Sequence, residues 1–593
     1  MLDASAPFIL FDDARARDAG PARLYRNPVE IVETREPDEV KPCLGRLQAA
    51  GRSGLHAAGL LAYEAGHALD PKLTPLRARP ATDAPPLLWF GLFEGYEEIA
   101  PDEVASLLPD PDGAWTSEPS PLIDRADYEA AAGRVKAHIE AGDIYQANLT
   151  FAAEARTAGP PPALYAAIRR RARAGHGALL FTGAHWLLSF SPELFFTLAG
   201  RSITARPMKG TAVRRADAGA DAAAARALSE DPKQRAENLM IVDLLRNDLS
   251  RVSIPGTVEV PSLFAVETYP TVHQMTSTVV AQLEEGVDAV DAIEAIFPCG
   301  SVTGAPKLRA MEIIAQIEKA PRNAYTGSIG WLAPDGDASF NVAIRTLSLK
   351  AGESHAVMGL GSAIVADSRA GDEWRECLAK GVFVKTANRF DLIETMRFDP
   401  REGVAELERH LARLKHSAAE LDFPFDRHSA RNDLQAATFR LREPRKIRLL
   451  LSPAGTVAIE ARRLPPMPSE PVQVAITPRP VPGSDFRLRH KTSNRSFYDR
   501  ARAAAGTFEV LFKDEAGFLT EGSFTSLFVE RGGRLLTPPL SRGLLPGILR
   551  DKLIAEGKAE EADLTAGDLA GGFLIGNAVR GLIRAQVSAG DST

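Results

Sequence analysis

Cysteine is nearly absent: Cys43, Cys299 and Cys377 are the only three in 593 residues. The number is odd and none stands at metal-ligand spacing from another. That excludes a disulfide framework and a structural zinc site, and it fits a reducing compartment. No basic block occurs. Seventy Lys and Arg face 77 Asp and Glu, a net charge of −7, which argues against nucleic acid as the main partner. No segment offers about 20 uninterrupted apolar residues, so no transmembrane helix is expected. The opening "MLDASAPFILF" carries an aspartate and no positive flank, unlike a signal peptide. These absences describe a soluble cytoplasmic protein without membrane or nucleic-acid partners. Internal repeats and low-complexity tracts are missing too.

What is present is length. A chain of 593 residues is too long for one core, and two to four domains are expected. The Pro/Asp-rich "LPDPDGAWTSEPSPLI" (108–123) reads as an exposed connection. The pattern of 125–142 predicts a helix stopping at Gly142. "DIYQANLTF" alternates and predicts a strand with one polar face. Strands are expected on both sides of Gly200. Residues 231–252 read as a helix on which Glu237 borders the apolar stripe Met240, Ile241, Leu244 and Leu245. A change of texture near residue 387, without a Gly/Ser linker, divides the chain into 1–387 and 388–593.

Several residues look chemical. "FPCGSVTGAPKLRAMEII" (297–314) runs a Gly-rich loop into a helix, leaving N–H groups near Gly304 and Ala305 for an anion. Arg345 in "FNVAIRTLSL" reads as a mid-strand arginine, costly without an anionic partner. "DEWRECLAKG" sets Glu373 and Glu376 at i, i+3, able to bind one hard cation, with Lys380 a turn further on. Lys209 in "TARPMKGT" sits at a turn, where an amine is idle if solvated and nucleophilic if buried.

Taken in order, "GDIYQANLT", "SFSPELF", "TARPMKGT", "AENLMIVDLLRNDLSR", "VHQMTS", "GSVTGAPKLRAMEII", "YTGSIG", "VAIRT", "GSAIVADS" and "EWRECLAK" resemble the chorismate-utilising enzymes over about 120–385. The resemblance implies an α/β (α+β) fold with two facing antiparallel sheets and helices outside. It also implies magnesium held by Glu237 and Glu376 with Glu373 beside them. Arg345, Tyr325 and the Thr303–Gly304 loop would clamp the enolpyruvyl carboxylate of chorismate. Lys380 and the Gly361–Ser362 turn would line the ring-carboxylate end, and His273 matches the site histidine. Anthranilate synthases typically carry alanine at the Lys209 position, whereas many aminodeoxychorismate synthases carry lysine. That implies covalent catalysis by Lys209, with Glu193 as general acid/base.

The later part, about 388–585, is similar to fold-type IV pyridoxal-phosphate enzymes: branched-chain and D-amino-acid aminotransferases and aminodeoxychorismate lyase. Its motifs are "LERHLARLKHSAAEL", "RHKTSNRSFYDRA", "GFLTEGSFTSLF", "LPGILR" and "GNAVRGL". Read alone, His410 and Arg413 belong to a solvated basic helix face. The resemblance instead makes Arg413 a phosphate ligand, Lys491 the Schiff-base lysine and Glu521 the partner of the pyridinium nitrogen. Ile548 and Leu549 would bind phosphate, with Leu549 replacing a threonine. Ser526 stands where asparagine is common, and Asn577 would close over the ligand. A homodimer through this domain is expected by analogy.

The pairing of the two resemblances implies p-aminobenzoate synthesis: chorismate and ammonia give 4-amino-4-deoxychorismate, which then loses pyruvate. An anthranilate or salicylate synthase fused to a class IV aminotransferase is the alternative, and a catalytically dead module is the reading from another class. Cys43 in "VKPCLGRL" lacks a partner histidine motif, so ammonia is expected from a separate glutamine amidotransferase subunit.

Overall fold

The computed structural model describes residues 5–16, 18–268, 272–387 and 389–588. Residue 388, where a boundary is expected, and residues 1–4 of the N-terminal stretch lie outside them. The chain forms two compact units. The first comprises Met1–Pro109, Glu118–Arg156 and Tyr165–Lys385; the second comprises Asp110–Ser117, Thr157–Leu164 and Thr386–Thr593. The stretch expected as an exposed connection is therefore partly core. Trp115 is 3% exposed and belongs to the same hydrophobic core as Phe390 and Phe486, the burial a large apolar ring favours.

Two large antiparallel sheets build the first unit. One carries, in spatial order, Gly304–Ala305, Gln146–Ala158, His355–Ile364, Thr346–Lys350 and His185–Ser191, and continues through His176–Phe181 to Phe8–Asp12. The other carries Met208–Val213, Val272–Gln282, Ser202–Arg206, Leu194–Ala199 and Ala338–Val342, and continues through Ser328–Leu332. Their inner faces meet where Ile9, Leu180 and Leu187 of one pack with Leu60, Trp89 and Ile329 of the other. The second sheet's opposite face is covered by Val40–Arg52, Pro232–Ser250 and Ala289–Ile296. Of the alternating "DIYQANLTF" the strand takes up only the part from Gln146, and Gln146 and Thr150 on its polar face are buried.

In the second unit, Leu392–Asp399 and Arg445–Leu451 are central in a four-stranded antiparallel sheet, counted among the described residues. Its apolar face receives the helix Leu407–Glu420 through Leu411, Leu414 and Ala418. A mixed sheet holds Val472–Pro478 between parallel neighbours Glu509–Lys513 and Gly581–Val587. Among the described residues, no helix in either unit is long and apolar enough to cross a membrane.

Candidate active sites

Lys209 owes its orientation to a β-bulge. Met208 pairs with Thr276 and Thr211 with Gln274, so three steps of one strand face two of the other. Gly210 takes φ +89°, which a side chain would disfavour. A bulge re-aims the side chain it carries. The Lys209 Nζ comes 3.9 Å from Glu237 Oε2, and both side chains are 18% exposed. Burial lowers the Lys209 pKa, and Lys380 lowers it further, against the opposing pull of Glu237, Glu376 and Glu193.

Glu193 lies on the turn between His185–Ser191 and Leu194–Ala199 and is 4% exposed. Burial raises its pKa to about 7, with Ser301 and Lys209 opposing. The Ser301 hydroxyl donates to Glu193 Oε1 at 2.7 Å. A carboxyl titrating near neutrality, beside a buried amine, is the pairing that general acid/base chemistry requires.

The expected metal ligands stand at the edge of this cluster. Glu376 accepts from Lys380 Nζ at 2.7 Å; burial pushes its pKa up, but Lys380 outweighs that and holds it low. Glu373 accepts from Ser368 at 2.8 Å. Glu237 is raised by burial and by Asp367 and Glu373, against Lys209 and Lys233. Among the described residues, no three Asp, Glu, His or Cys side chains are grouped closely enough to hold a metal as they stand. The donors are nonetheless all hard carboxylates, the chemistry that suits magnesium.

The expected carboxylate clamp differs from its sequence reading. Arg345 is not in mid-strand: it falls between Ala338–Val342 and Thr346–Lys350 with φ +51°. Asn323 and Thr326, flanking Tyr325, also have positive φ. Such strain concentrates at functional positions, and alternating hydrophobicity does not encode it. The Tyr325 ring lies against the strand at Gly359, where a Cβ would fall 2.0 Å away. Tyr325 borders a cavity of about 510 Å³ with Thr150, Arg322, Thr346 and Gly359; Lys209, Glu193 and Glu237 are not part of that lining.

Gly304 and Ala305 do not sit at a helix start. They pair as a short strand with Ala147 and Gln146, and the helix begins at Lys307. Thr303 turns its hydroxyl inward, onto the Gly300 and Cys299 carbonyls. Ser362 lies within a strand, not a turn, and its hydroxyl meets Tyr128 at 3.2 Å, while Lys380 donates to the Gly361 carbonyl at 2.9 Å. His273 is buried, with its ring nitrogens 3.0 Å from Asp221 and 3.1 Å from Thr268. Its hydrogen bonds therefore run to these two residues and not to the Lys209 cluster.

Sequence reasoning missed Arg322, which ties these loops together. Its guanidinium pairs with Glu318 and donates to the Val302 and Asn148 carbonyls. An arginine surrounded by small and turn-forming residues carries no periodic signal, so nothing in the pattern exposes it.

The second unit brings all its expected cofactor residues to one cavity of about 480 Å³. Lys491, Glu521, Arg413, Ile548, Leu549 and Asn577 all line it. Burial and then Arg413 lower the Lys491 pKa to about 7, with Glu394 opposing. Burial raises Glu521 to about 7, against hydrogen bonds from the Tyr498 hydroxyl and the Leu545 N–H. Gly547 precedes the helix Ile548–Ala555, and Gly547, Ile548 and Leu549 at its start line the cavity, where free N–H groups suit an anion.

The basic helix face is not solvated. His410 is 1% exposed, and Arg413 points inward to Glu394. Glu394 was also missed. Its carboxylate accepts from His410 Nδ1 at 2.5 Å and from Arg413 Nε and Nη2 at 2.9 and 2.7 Å. Burial would raise it, yet Arg413 and His410 hold it at about 2. The alternation of "DLIETMRFD" puts Glu394 in phase with the buried Leu392, Met396 and Phe398, a signal that could have marked it as an inward polar residue.

Comparison with known proteins agrees with this division. Residues 6–386 match the family described as chorismate binding enzyme, and 391–587 match amino-transferase class IV. Aminodeoxychorismate synthase component 1 of Klebsiella aerogenes is 43% identical over 267 residues, 45% of this chain and 58% of that protein. Anthranilate synthase component 1 of Streptomyces coelicolor is 39% identical over 276 residues, 46% of this chain and 53% of that protein. The chain thus spans under two thirds of these relatives. The solved anthranilate synthase component I of Streptococcus pneumoniae aligns with a TM-score of 0.52 at 24% identity, covering 65% of this chain and 94% of that one, a likeness of fold. The chain belongs to the chorismate binding enzymes, and it carries a class IV amino-transferase segment fused behind that domain.

Proposed function

We propose that the first unit aminates chorismate to 4-amino-4-deoxychorismate and that the second eliminates pyruvate from that product to give p-aminobenzoate. The observation that carries the reading is a buried amine among carboxylates: Lys209 beside Glu237, with Glu193 near enough to share its electrostatics. In the reaction, Lys209 Nζ attacks ring carbon 2 as the hydroxyl at carbon 4 leaves with a proton from Glu193. Ammonia then bonds carbon 4 and loses a proton, both ring double bonds shift back, and the lysine departs as the amine. A lysine whose pKa is lowered by burial supplies the neutral amine that the first step needs. Glu237, Glu376 and Glu373 would hold magnesium, whose positive charge anchors a substrate carboxylate.

In the second unit the residues fit pyridoxal phosphate: an amine of low pKa, a buried carboxyl for the ring nitrogen and helix-start N–H groups for phosphate line one cavity. Pyridoxal phosphate, when bound, draws electrons from the carbon that bears the substrate amine. Lys491 would anchor it and, once released, would move the proton at that carbon. Glu521, held in place by Tyr498, would pair with the ring nitrogen. Arg413, fixed by Glu394, would offer its remaining donors to the phosphate.

The three cysteines are all buried, which supports a separate glutamine amidotransferase as ammonia source. Relatives named component 1 imply a second component, a place that such a subunit would fill. The test is incubation of the chain with chorismate, magnesium, ammonium and pyridoxal phosphate, with the aromatic product identified. p-Aminobenzoate is expected; anthranilate or salicylate would overturn the reading.

A further inference from the structure

The cavity around Lys491 is far more cationic than a phosphate requires. Eight Lys and Arg side chains line it against two carboxylates, Asp499 and Glu521. Some cations are already satisfied. Arg413 is paired with Glu394, and Arg487 with Asp485 and Asp110. Arg502 lies 3.4 Å from Asp499. The other five, Lys446, Arg448, Lys491, Arg495 and Arg580, have no carboxylate within ion-pair distance among the described residues, and of these it is Arg580 that is fixed at the rim beside Asn577. Burial lowers its pKa with no neighbouring anion to oppose the shift.

Arg580 is nevertheless held in place. Asn577 Oδ1 accepts from the backbone N–H of both Val579 and Arg580 at 3.0 Å. Asn577 Nδ2 donates to the Phe524 carbonyl at 3.2 Å. The Asn577 side chain is thereby spent on shaping this turn. The Arg580 guanidinium sits 5.6 Å from the centre of the Phe508 ring and gives Nη1 to the Pro466 carbonyl at 3.0 Å. Phe508 meets Phe524 edge-on, and Arg502 lies over Phe524 at 5.0 Å. The rim is a layered arrangement that fixes a guanidinium with most of its donors unused. A cation so placed, half-buried and unpaired, implies an anion from outside the chain.

We infer that Arg580, positioned by Asn577 and Phe508, binds a second carboxylate on the amine substrate, so that the cavity selects dicarboxylate amines over amino acids with apolar side chains. This rests on the reading of Lys491 as the centre of an amine-processing site. Arg580 is a specificity residue, and Asn577 acts through it as a positioning residue.

The test uses the full chain loaded with pyridoxal phosphate. Isophthalate, with two carboxylates, and benzoate, with one, are titrated against the cofactor's visible absorbance band. In the unmodified chain isophthalate should bind at least about 10-fold more tightly than benzoate, the scale of one charge-assisted hydrogen-bonded contact. Arg580→Gln should bring the two within about twofold, and Arg580→Lys should restore most of the gap. With 4-amino-4-deoxychorismate, R580Q should raise KM and leave kcat nearly unchanged. Cofactor affinity should also be unchanged, since a loss would assign Arg580 to the phosphate and overturn the inference. An isophthalate preference that survives in R580Q would overturn it as well. Failure of the unmodified chain to turn over 4-amino-4-deoxychorismate would sink the proposed function, while the isophthalate titration would still judge Arg580.

Discussion

The most direct consequence of the second cavity concerns how Lys491 takes up its cofactor. A lysine in water titrates near 10.4, so at pH 7 roughly one amine in two or three thousand is neutral. In this cavity, burial and the neighbouring Arg413 lower the value to about 7, so roughly half of the amines are neutral at that pH. Covalent attachment of pyridoxal phosphate needs the neutral amine. The second-order rate of attachment to apoenzyme should therefore rise roughly 50-fold from pH 5 to pH 7 and level off above about pH 8. Stopped-flow absorbance follows the rate, and borohydride reduction with peptide mapping places the label on Lys491. A Lys491→Ala chain, which binds the cofactor without attachment, corrects for ionisation of the phosphate. The same shift has a stability sign. The folded chain holds fewer protons on Lys491 than the unfolded chain, so its penalty is complete below about pH 7 and relaxes as pH rises toward the unfolded value near 10.4. Lys491→Met should thus stabilise the apoenzyme at pH 6 by on the order of 4 kcal/mol. A rate that climbs tenfold per pH unit to pH 10, together with an unstabilised methionine variant, would refute the argument that burial deprotonates this amine.

Other expectations bear on each unit separately. Lys209→Ala should reduce amination of chorismate by about 10²-fold or more while calorimetry finds chorismate affinity within threefold; a normal rate would exclude the covalent path. Glu394→Gln should cost roughly 3–5 kcal/mol in urea unfolding, because it leaves the Arg413 charge buried without its partner; an unchanged midpoint would mean that Arg413 finds another anion. Chelation of divalent cations should stop amination and magnesium should restore it, whereas full activity in chelator would remove the metal from the scheme. The chain alone should use ammonium, at a rate that rises with pH as free ammonia increases, but not glutamine. Glutamine turnover lost in Cys43→Ser would reveal an amidotransferase within the chain.

Much of this was legible in the sequence. The motifs run in order, and their resemblance to the two families marked Lys209, Glu193, Glu237, Lys491 and Glu521, whereas "RPMKGT" by itself leaves the amine as easily idle as nucleophilic. The helix Pro232–Ser250 and the strands around Gly200 followed from period and turn residues alone. Tertiary structure decided the rest. Arg345 sits in an apolar run that reads as one strand, yet the chain kinks there into positive φ, a strain that only surrounding packing can sustain. His410 and Arg413 look solvated on a helix of mixed charge, but Glu394 from a strand 16 residues earlier than His410 draws them inward. Trp115 lies in a proline-rich stretch that reads as a linker and is core, because it joins a hydrophobic cluster built from residues far along the chain, Phe390 and Phe486 among them. Arg580 carries no local signal at all: its unpaired charge becomes visible only once Asn577, Phe508 and the cavity are assembled around it. Local patterns fix which groups the chain possesses and the periodicity of its elements. Pairings between distant segments fix the burial and the electrostatic neighbours of those groups, and these set their chemistry.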